Sequence, residues 1–283
     1  MTYEEVRNNK AIQVYIAQAD ASLMALGYTE HSFAHVTQVA EKAGYILRTM
    51  GYSDRMVELA MIAGYLHDIG NLVNRVDHSQ SGAVMAFRLL DKMGFPPEEI
   101  AAITTAIGNH DEGNGQPVNE LAAALILADK SDVRRSRVRN PDETHFDIHD
   151  RVNYSVTKSE LKINESKTLI KLKLHIDTRY GSIMDYFEIF MSRMTLCRKA
   201  AEKLGLQFKL IINEQQLINM MVGRVIYEDP KTKSMVAPDA PVVLKVEHLR
   251  VAFRAEGRLA VPVRDVSFEI PENGRVALVG ESG

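Results

Sequence analysis

From Lys10 to about Lys130 apolar residues return every three or four positions, a spacing that predicts successive amphipathic helices. Ala11 to Leu26 is the first and ends at Gly27. A second starts near Ser32, carries Phe33, Val36, Val39, Ala40, Ala43 and Leu47, and stops at Gly51. Ser53 and Asp54 offer an N-cap to a third, whose face of Met56, Leu59, Ala60, Ile62 and Ala63 runs to His67 and Asp68. Ser79 to Met93 is a fourth, closed by Gly94. The run 96–99, Pro-Pro-Glu-Glu, opens a fifth with proline in the first turn and acids at the positive end of the helix dipole. After a polar loop at 111–117, a sixth and very apolar helix runs from Asn119 to Asp129. The expectation for residues 1–140 is an all-α bundle.

Beyond Asn140 and Pro141 the period changes. Segments 153–157 and 168–176 alternate apolar with polar residues, as half-buried strands do, with a turn at 164–167 between them. Ser182 to Leu204 is a long amphipathic helix ended by Gly205, and 207–212 is a further strand. Residues 141–222 are therefore expected to form a small α+β domain, a helix on a short antiparallel sheet. No residue there looks catalytic. Met184, Tyr186, Phe187, Phe190, Met191 and Met194 are assigned to its core or to a homodimer contact. Residues 223–241 read as a linker, and 242–283 as a β-rich fragment with strand-like segments at 242–251, 266–270 and 275–279.

Composition narrows the function. At 283 residues and a net charge of -3, the chain is not a bulk nucleic-acid binder, and long nucleic acid is not an expected partner. With one cysteine, Cys197, an intrachain disulfide is impossible. The N-terminus lacks an apolar signal core and no apolar run is long enough to span a bilayer, so a cytoplasmic location is expected.

The candidate chemistry starts at adjacent His67 and Asp68, an N and an O donor of the kind divalent transition metals bind, with Gly70 turning the chain just after. His31 and His35 lie four apart on one helix face, His78 and His110 sit at helix ends, and Asp129 closes an apolar helix. Each alone has an ordinary explanation: a solvated first-turn residue, a cap, a dipole partner, or a pair with Lys130. Together they point to a shared metal centre, because an acid buried bare beside so apolar a helix is costly. Lys130, Arg134 and Arg135 follow directly and are placed either to meet a substrate phosphate or to form a solvated basic face.

Five motifs carry a resemblance: His35-Val-Thr-Gln-Val-Ala40, Gly64-Tyr-Leu-His-Asp-Ile-Gly70, His78-Ser-Gln-Ser-Gly-Ala83, Ala106-Ile-Gly-Asn-His110 and Leu127-Ala-Asp129. In this order, across about residues 28–135, the chain resembles the HD superfamily of metal-dependent phosphohydrolases, of the phosphatase/phosphodiesterase type. The resemblance implies an HD helical bundle with two divalent ions (Mn, Fe, Mg or Zn). His35, His67, Asp68 and Asp129 would hold one, and His78 and His110 the other, with Asp68 bridging. It implies hydrolysis of a phosphomonoester or phosphodiester, a nucleotide by expectation, through metal-activated water. Asp68 and Lys130 are the candidate catalytic residues, and Lys130, Arg134 and Arg135 the candidate substrate-binding ones. Two positions depart from the pattern: Asp111 where some relatives have histidine, and Asn71 where many have lysine. A di-iron oxygenase built on the same bundle, and a non-enzymatic nucleotide sensor that dimerises through the α+β domain, are the alternatives.

The segment from Val243 to Gly283 resembles the start of an ATP-binding-cassette subunit of the peptide-importer kind. The phosphate loop needs G-x-x-x-x-G-K-[ST], and Gly280-Glu-Ser-Gly283 supplies its opening without the lysine. No ATP hydrolysis is expected from this incomplete fragment; ATPase activity that disappears on deleting 241–283 would contradict that.

Overall fold

Side-chain caps set most helix starts in the computed structural model, which describes residues 1–140, 146–213, 215–218, 226–227, 241–255 and 258–271. A short first helix, α1 (Tyr3–Arg7), is opened by a reciprocal capping box between Thr2 and Glu5. The Asn9 side chain caps α2 (Lys10–Ala25). Ser32 caps α3 (Phe33–Met50) at Ala34 N–H, and Ser53 caps α4 (Asp54–Leu66) at Met56 N–H. A 3₁₀ turn (Ile69–Leu72) leads to α5 (His78–Met93) and α6 (Pro97–Gly108). Asn119 caps α7 (Glu120–Lys130), and a second 3₁₀ turn (Arg135–Arg137) follows.

The chain then forms α8 (Ile148–Ser155), β1 (Val156–Ile163), β2 (Leu169–Ile176), α9 (Ile183–Lys203), β3 (Gln207–Ile212), β4 (Gln215–Ile218) and β5 (Ile226–Tyr227). Leu121 through Ala128 are all buried, so α7 is apolar on every side and takes the central place, packed against α3, α4, α6 and α9. Gly64 sets the distance between α3 and α4: a Cβ there would lie 2.8 Å from Ala40 Cα and 2.9 Å from Ala40 N. That close approach brings the start of α3 against the end of α4, where two of the candidate histidines sit.

Two sequence expectations are corrected here. Residues 153–155 are helical, not extended. Asp147 Oδ1 accepts the Asp150 N–H and starts α8, so the strand begins only at the β-branched pair Val156 and Thr157. The sheet, ordered β1-β2-β3-β4-β5, is mixed rather than antiparallel: β1 and β2 form an antiparallel pair, but β3 lies parallel to β2, from Leu169 opposite Gln207 to Leu174 opposite Ile212. A parallel pair needs a crossover, and α9 supplies it. Tyr186, Phe187, Phe190 and Met194 of α9 are buried, while Met191 is exposed.

The described residues fall into two units, Met1–Glu228 and Asp229–Gly283. In the first, one hydrophobic core runs through the helical bundle and the sheet. That unit includes Ile226 and Tyr227, which fall within the expected linker but pair with β4. The second contains an antiparallel pair of strands, β6 (Val242–Ala255) and β7 (Arg258–Pro271), running from Val242 opposite Pro271 to Ala255 opposite Arg258 with register shifts between Val242 and Phe253. The strand-like segment at 275–279, the tail at 280–283 and most of the expected linker lie outside the described residues. No described helix is long and apolar enough to cross a membrane.

Candidate metal centre

Helix ends meet at one point in the bundle. His35 comes from the first turn of α3, His67 and Asp68 from the end of α4, His78 from the start of α5, His110 from just past α6 and Asp129 from the last turn of α7. His35 and His67 are fully buried, and Asp68, His78 and His110 nearly so. The rings of His31, His35, His67, His110 and His78 follow one another in edge contacts, with centroids 5.0–5.5 Å apart.

The ring nitrogens explain what this arrangement can hold. His67 Nδ1 lies 2.8 Å from Gly64 O, His110 Nδ1 2.6 Å from Ile107 O and His78 Nδ1 3.1 Å from Arg75 O. A carbonyl oxygen only accepts, so each Nδ1 carries a proton and Nε2 is the ring atom left for a ligand. His35 Nδ1 donates in the same way to Asp132 Oδ2 at 2.7 Å. Nε2 of His35, of His67 and of His78 faces two carboxylates. His35 Nε2 is 3.5 Å from Asp68 Oδ2 and 3.4 Å from Asp129 Oδ1. His67 Nε2 is 3.2 Å and 3.7 Å from the same two atoms, and His78 Nε2 is 3.5 Å from Asp68 Oδ1.

Among the described residues, Nε2 of His35 and of His67 are buried without a hydrogen-bond partner. Orphaned donor atoms aimed at two carboxylates are the signature of a ligand set, and this mixture of N and O donors fits a divalent metal. Two overlapping groups could hold one: His35, His67 and Asp129, and His67, Asp68 and His110, the ligand atoms of each group lying within 4.8 Å of one another. His67 belongs to both groups, and His110 shares the second with Asp68, the residue that the resemblance made the bridging ligand.

Electrostatics agree with a centre built for positive charge. Burial alone would raise the Asp68 carboxyl, but His67 and His35 outweigh it and hold its pKa well below the usual carboxylate range. Burial likewise works against ionised Asp129, and Lys130 with His35 and His67 overcomes it. Burial lowers the pKa of His67, yet Asp68 and Asp129 pull it up to about 10, and the carboxylates raise His35 as well. His110 and His31 are kept neutral, by burial first and then by His67 and Arg137 respectively.

Several residues that shape the centre escaped the sequence reading. Asp132 fixes the tautomer of His35 and is itself almost completely buried. Lys130 Nζ bonds Asp129 Oδ2 at 2.7 Å and Glu112 Oε2 at 2.6 Å, and Glu112 Oε1 accepts from Arg193 Nε at 2.7 Å. The only hint to Asp132 was a second acid soon after the apolar helix; Glu112 and Arg193 gave none. A carboxylate behind a ligating histidine orients the ring and raises its basicity. Asp132→Asn is therefore expected to weaken metal binding roughly 10- to 100-fold, as read by competition with a chelator; wild-type retention would show that His35 needs no such partner.

The basic run after Asp129 is only partly at the site. Lys130 reaches it. Arg134 is turned away to Glu30 Oε2 at 2.9 Å and Asp132 Oδ1 at 3.0 Å. Arg135 donates to Tyr154 O and lies over the rings of Tyr154 and Tyr180. Arg137, buried, donates to Glu30 O and Asp132 O. Asp111 Oδ1 stands 4.0 Å from His78 Nε2, at the edge of the cluster.

A cleft of about 430 Å³ opens onto Asp68, His78, His110 and Asp129. Its other walls include Tyr28 and Arg75 and, from α8 and α9, Asp147, Asp150, Phe190 and Arg193. The α+β region, expected to carry no chemistry, thus supplies part of the site.

Residues 32–134 match the HD domain family. That span takes in His35, His67, Asp68, His78, His110, Asp129 and Asp132. An uncharacterised protein of Methanocaldococcus jannaschii is 27% identical over 193 residues, which make up 60% of this chain and 74% of that protein. The crystal structure of a predicted HD superfamily hydrolase from an uncultured Thermotogales bacterium is 26% identical, with a TM-score of 0.36, and covers 44% of this chain and 68% of its own. The matched span thus contains every candidate ligand of the centre described above.

Proposed function

We propose that this chain is a metal-dependent phosphohydrolase acting on a phosphate ester, with a nucleotide as the expected substrate class. One observation carries the reading: four histidines have Nδ1 already committed, and Nε2 of His35, His67 and His78 stands 3.2–3.7 Å from carboxylate oxygens of Asp68 and Asp129, two residues that line an open cleft. His35, His67, Asp68, His78, His110 and Asp129 would hold the metal, one ion or two. When bound, divalent ions lower the pKa of a coordinated water toward neutrality and neutralise phosphoryl oxygens.

The protein's own residues prepare that chemistry. Asp132 and the carbonyls of Gly64, Arg75 and Ile107 hold each imidazole in the tautomer that ligates. Asn71 Nδ2 donates to Asp68 Oδ1 at 3.0 Å and orients that carboxylate. Lys130 keeps its proton, because Asp129 and Glu112 raise its pKa against the effect of burial, and it pins Asp129 Oδ2 while Oδ1 faces the histidines. Tyr28, exposed on the cleft wall, gives an aromatic surface on which a nucleobase can stack.

Elemental analysis of the purified chain, joined to a screen of phosphate esters, tests the reading. Bound Mn, Fe, Mg or Zn is expected, with ester hydrolysis that stops on chelation and returns when the metal is restored. Metal-free protein that stays inert toward the whole panel after reconstitution would end it.

A further inference from the structure

Four cationic side chains line the cleft: Arg75, Lys130, Arg137 and Arg193. Lys130 is tied to Asp129 and Glu112, and Arg137 donates inward to Glu30 O and Asp132 O. The other two keep donors in hand. Arg75 uses Nη1 alone, in long bonds of 3.4 Å to Asn71 Oδ1 and to His78 Nε2. Arg193 uses Nε alone, on Glu112. Their remaining guanidinium nitrogens have no partner among the described residues.

Both arginines are set in the same way. Each guanidinium lies over an aromatic ring, Arg75 over Tyr28 at 5.8 Å and Arg193 over Phe190 at 4.5 Å. Each is joined by a short polar relay to one of the two central carboxylates. Arg75 connects through Asn71 to Asp68, and Arg193 through Glu112 and Lys130 to Asp129. They come from different parts of the chain, Arg75 from the segment before α5 and Arg193 from α9, yet both reach the edge of the ligand cluster. Asp147 and Asp150 line the α8 wall of the same cleft and repel an anion from it.

We propose that Arg75 and Arg193 clamp the terminal phosphoryl group of a phosphomonoester, an assignment that rests on the phosphohydrolase reading above. A planar guanidinium with free N–H groups matches phosphoryl oxygens in a bidentate way that a lysine does not. A monoester offers three terminal oxygens and a diester two. Two guanidinium edges beside a metal centre are matched only by the monoester.

Calorimetric titration of inorganic phosphate and of dimethyl phosphate into the full chain, with metal content assayed in each sample, tests the clamp. Arg75→Gln and Arg193→Gln are each expected to weaken phosphate binding roughly tenfold, the worth of a charge-assisted hydrogen bond, with metal content unchanged. Arg193→Lys keeps the ion pair to Glu112, so it preserves the fold if Arg193→Gln does not, and it is expected to weaken phosphate binding severalfold. Arg135→Gln is expected to leave phosphate affinity as it is, and dimethyl phosphate to bind the wild type at least tenfold more weakly than phosphate does. Phosphate affinity unmoved by Arg75→Gln and Arg193→Lys, or lowered only by Arg135→Gln, would overturn the clamp. Dimethyl phosphate binding as tightly as phosphate would overturn the monoester assignment. The two readings fail separately: phosphate held by these arginines without hydrolysis of any ester removes the enzyme and leaves the clamp, whereas hydrolysis with a KM indifferent to both variants removes the clamp and leaves the enzyme.

Discussion

Asp68→Asn is expected to leave the purified protein with little bound metal and to lower ester hydrolysis roughly 10³-fold or more, because metal stabilisation of phosphoryl charge is worth several kcal/mol. The reason is position. Asp68 Oδ2 lies 3.2 Å from His67 Nε2 and 3.5 Å from His35 Nε2, and its Oδ1 lies 3.5 Å from His78 Nε2. One carboxylate thus faces three imidazoles, and an amide in its place is a neutral and poor metal ligand. The fold should survive, since an asparagine oxygen can still accept from Asn71 Nδ2. Elemental analysis and the rate on the best substrate read both effects; a variant that keeps its metal and its rate would remove Asp68 from the centre.

The second large effect belongs to Gly70→Ala. A Cβ at Gly70 would stand 2.0 Å from His78 O, 2.5 Å from Gly82 N and 2.6 Å from Ser81 Oγ. Two of these are backbone atoms of α5, so they move only if the helix moves, and His78 moves with it. Such overpacking is expected to cost roughly 3 kcal/mol or more, a fall in Tm of about 6–12 °C. Gly108→Ala is the matched control. Its Cβ would meet Ala83 Cβ at an ordinary 3.6 Å within α6, where alanine is the better helix former, so Tm should hold or rise. Equal melting of the two variants would mean that the contact between the 3₁₀ turn and α5 is looser than described.

What could be read from the chain alone was the part encoded locally. Ser32, Ser53, Asn119 and Ser182 announced helix starts and do cap them. The stops read at Gly27, Gly51, Gly94 and Gly205 all have positive φ. The cluster of histidines and acids was legible because its members sit at helix ends, where a histidine or an acid beside an apolar run stands out. The residues behind the cluster were not. Asp132 meets His35 across 97 positions and Arg193 meets Glu112 across 81, and no periodicity reports such a pair. Arg134 and Arg135 looked like phosphate arms because they follow Asp129. The chain leaves α7 in a 3₁₀ turn there and carries them toward Glu30 and Asp177. In the sheet, β1 was hidden by its charges at Lys158, Glu160 and Lys162, and the parallel partner of β2 depends on how α9 lies across the core.

The row Asp129, Lys130, Glu112, Arg193 alternates in sign from the ligand cluster to the cleft wall. An alternating row tolerates exchange only in adjacent couples: losing Glu112 by itself strands two cations side by side, while losing Glu112 together with Arg193 leaves a balanced remainder. Among descendants of a common ancestor these four positions should therefore change in adjacent couples, and a lineage that abandons α9, and Arg193 with it, must give up the carboxylate at Glu112 as well.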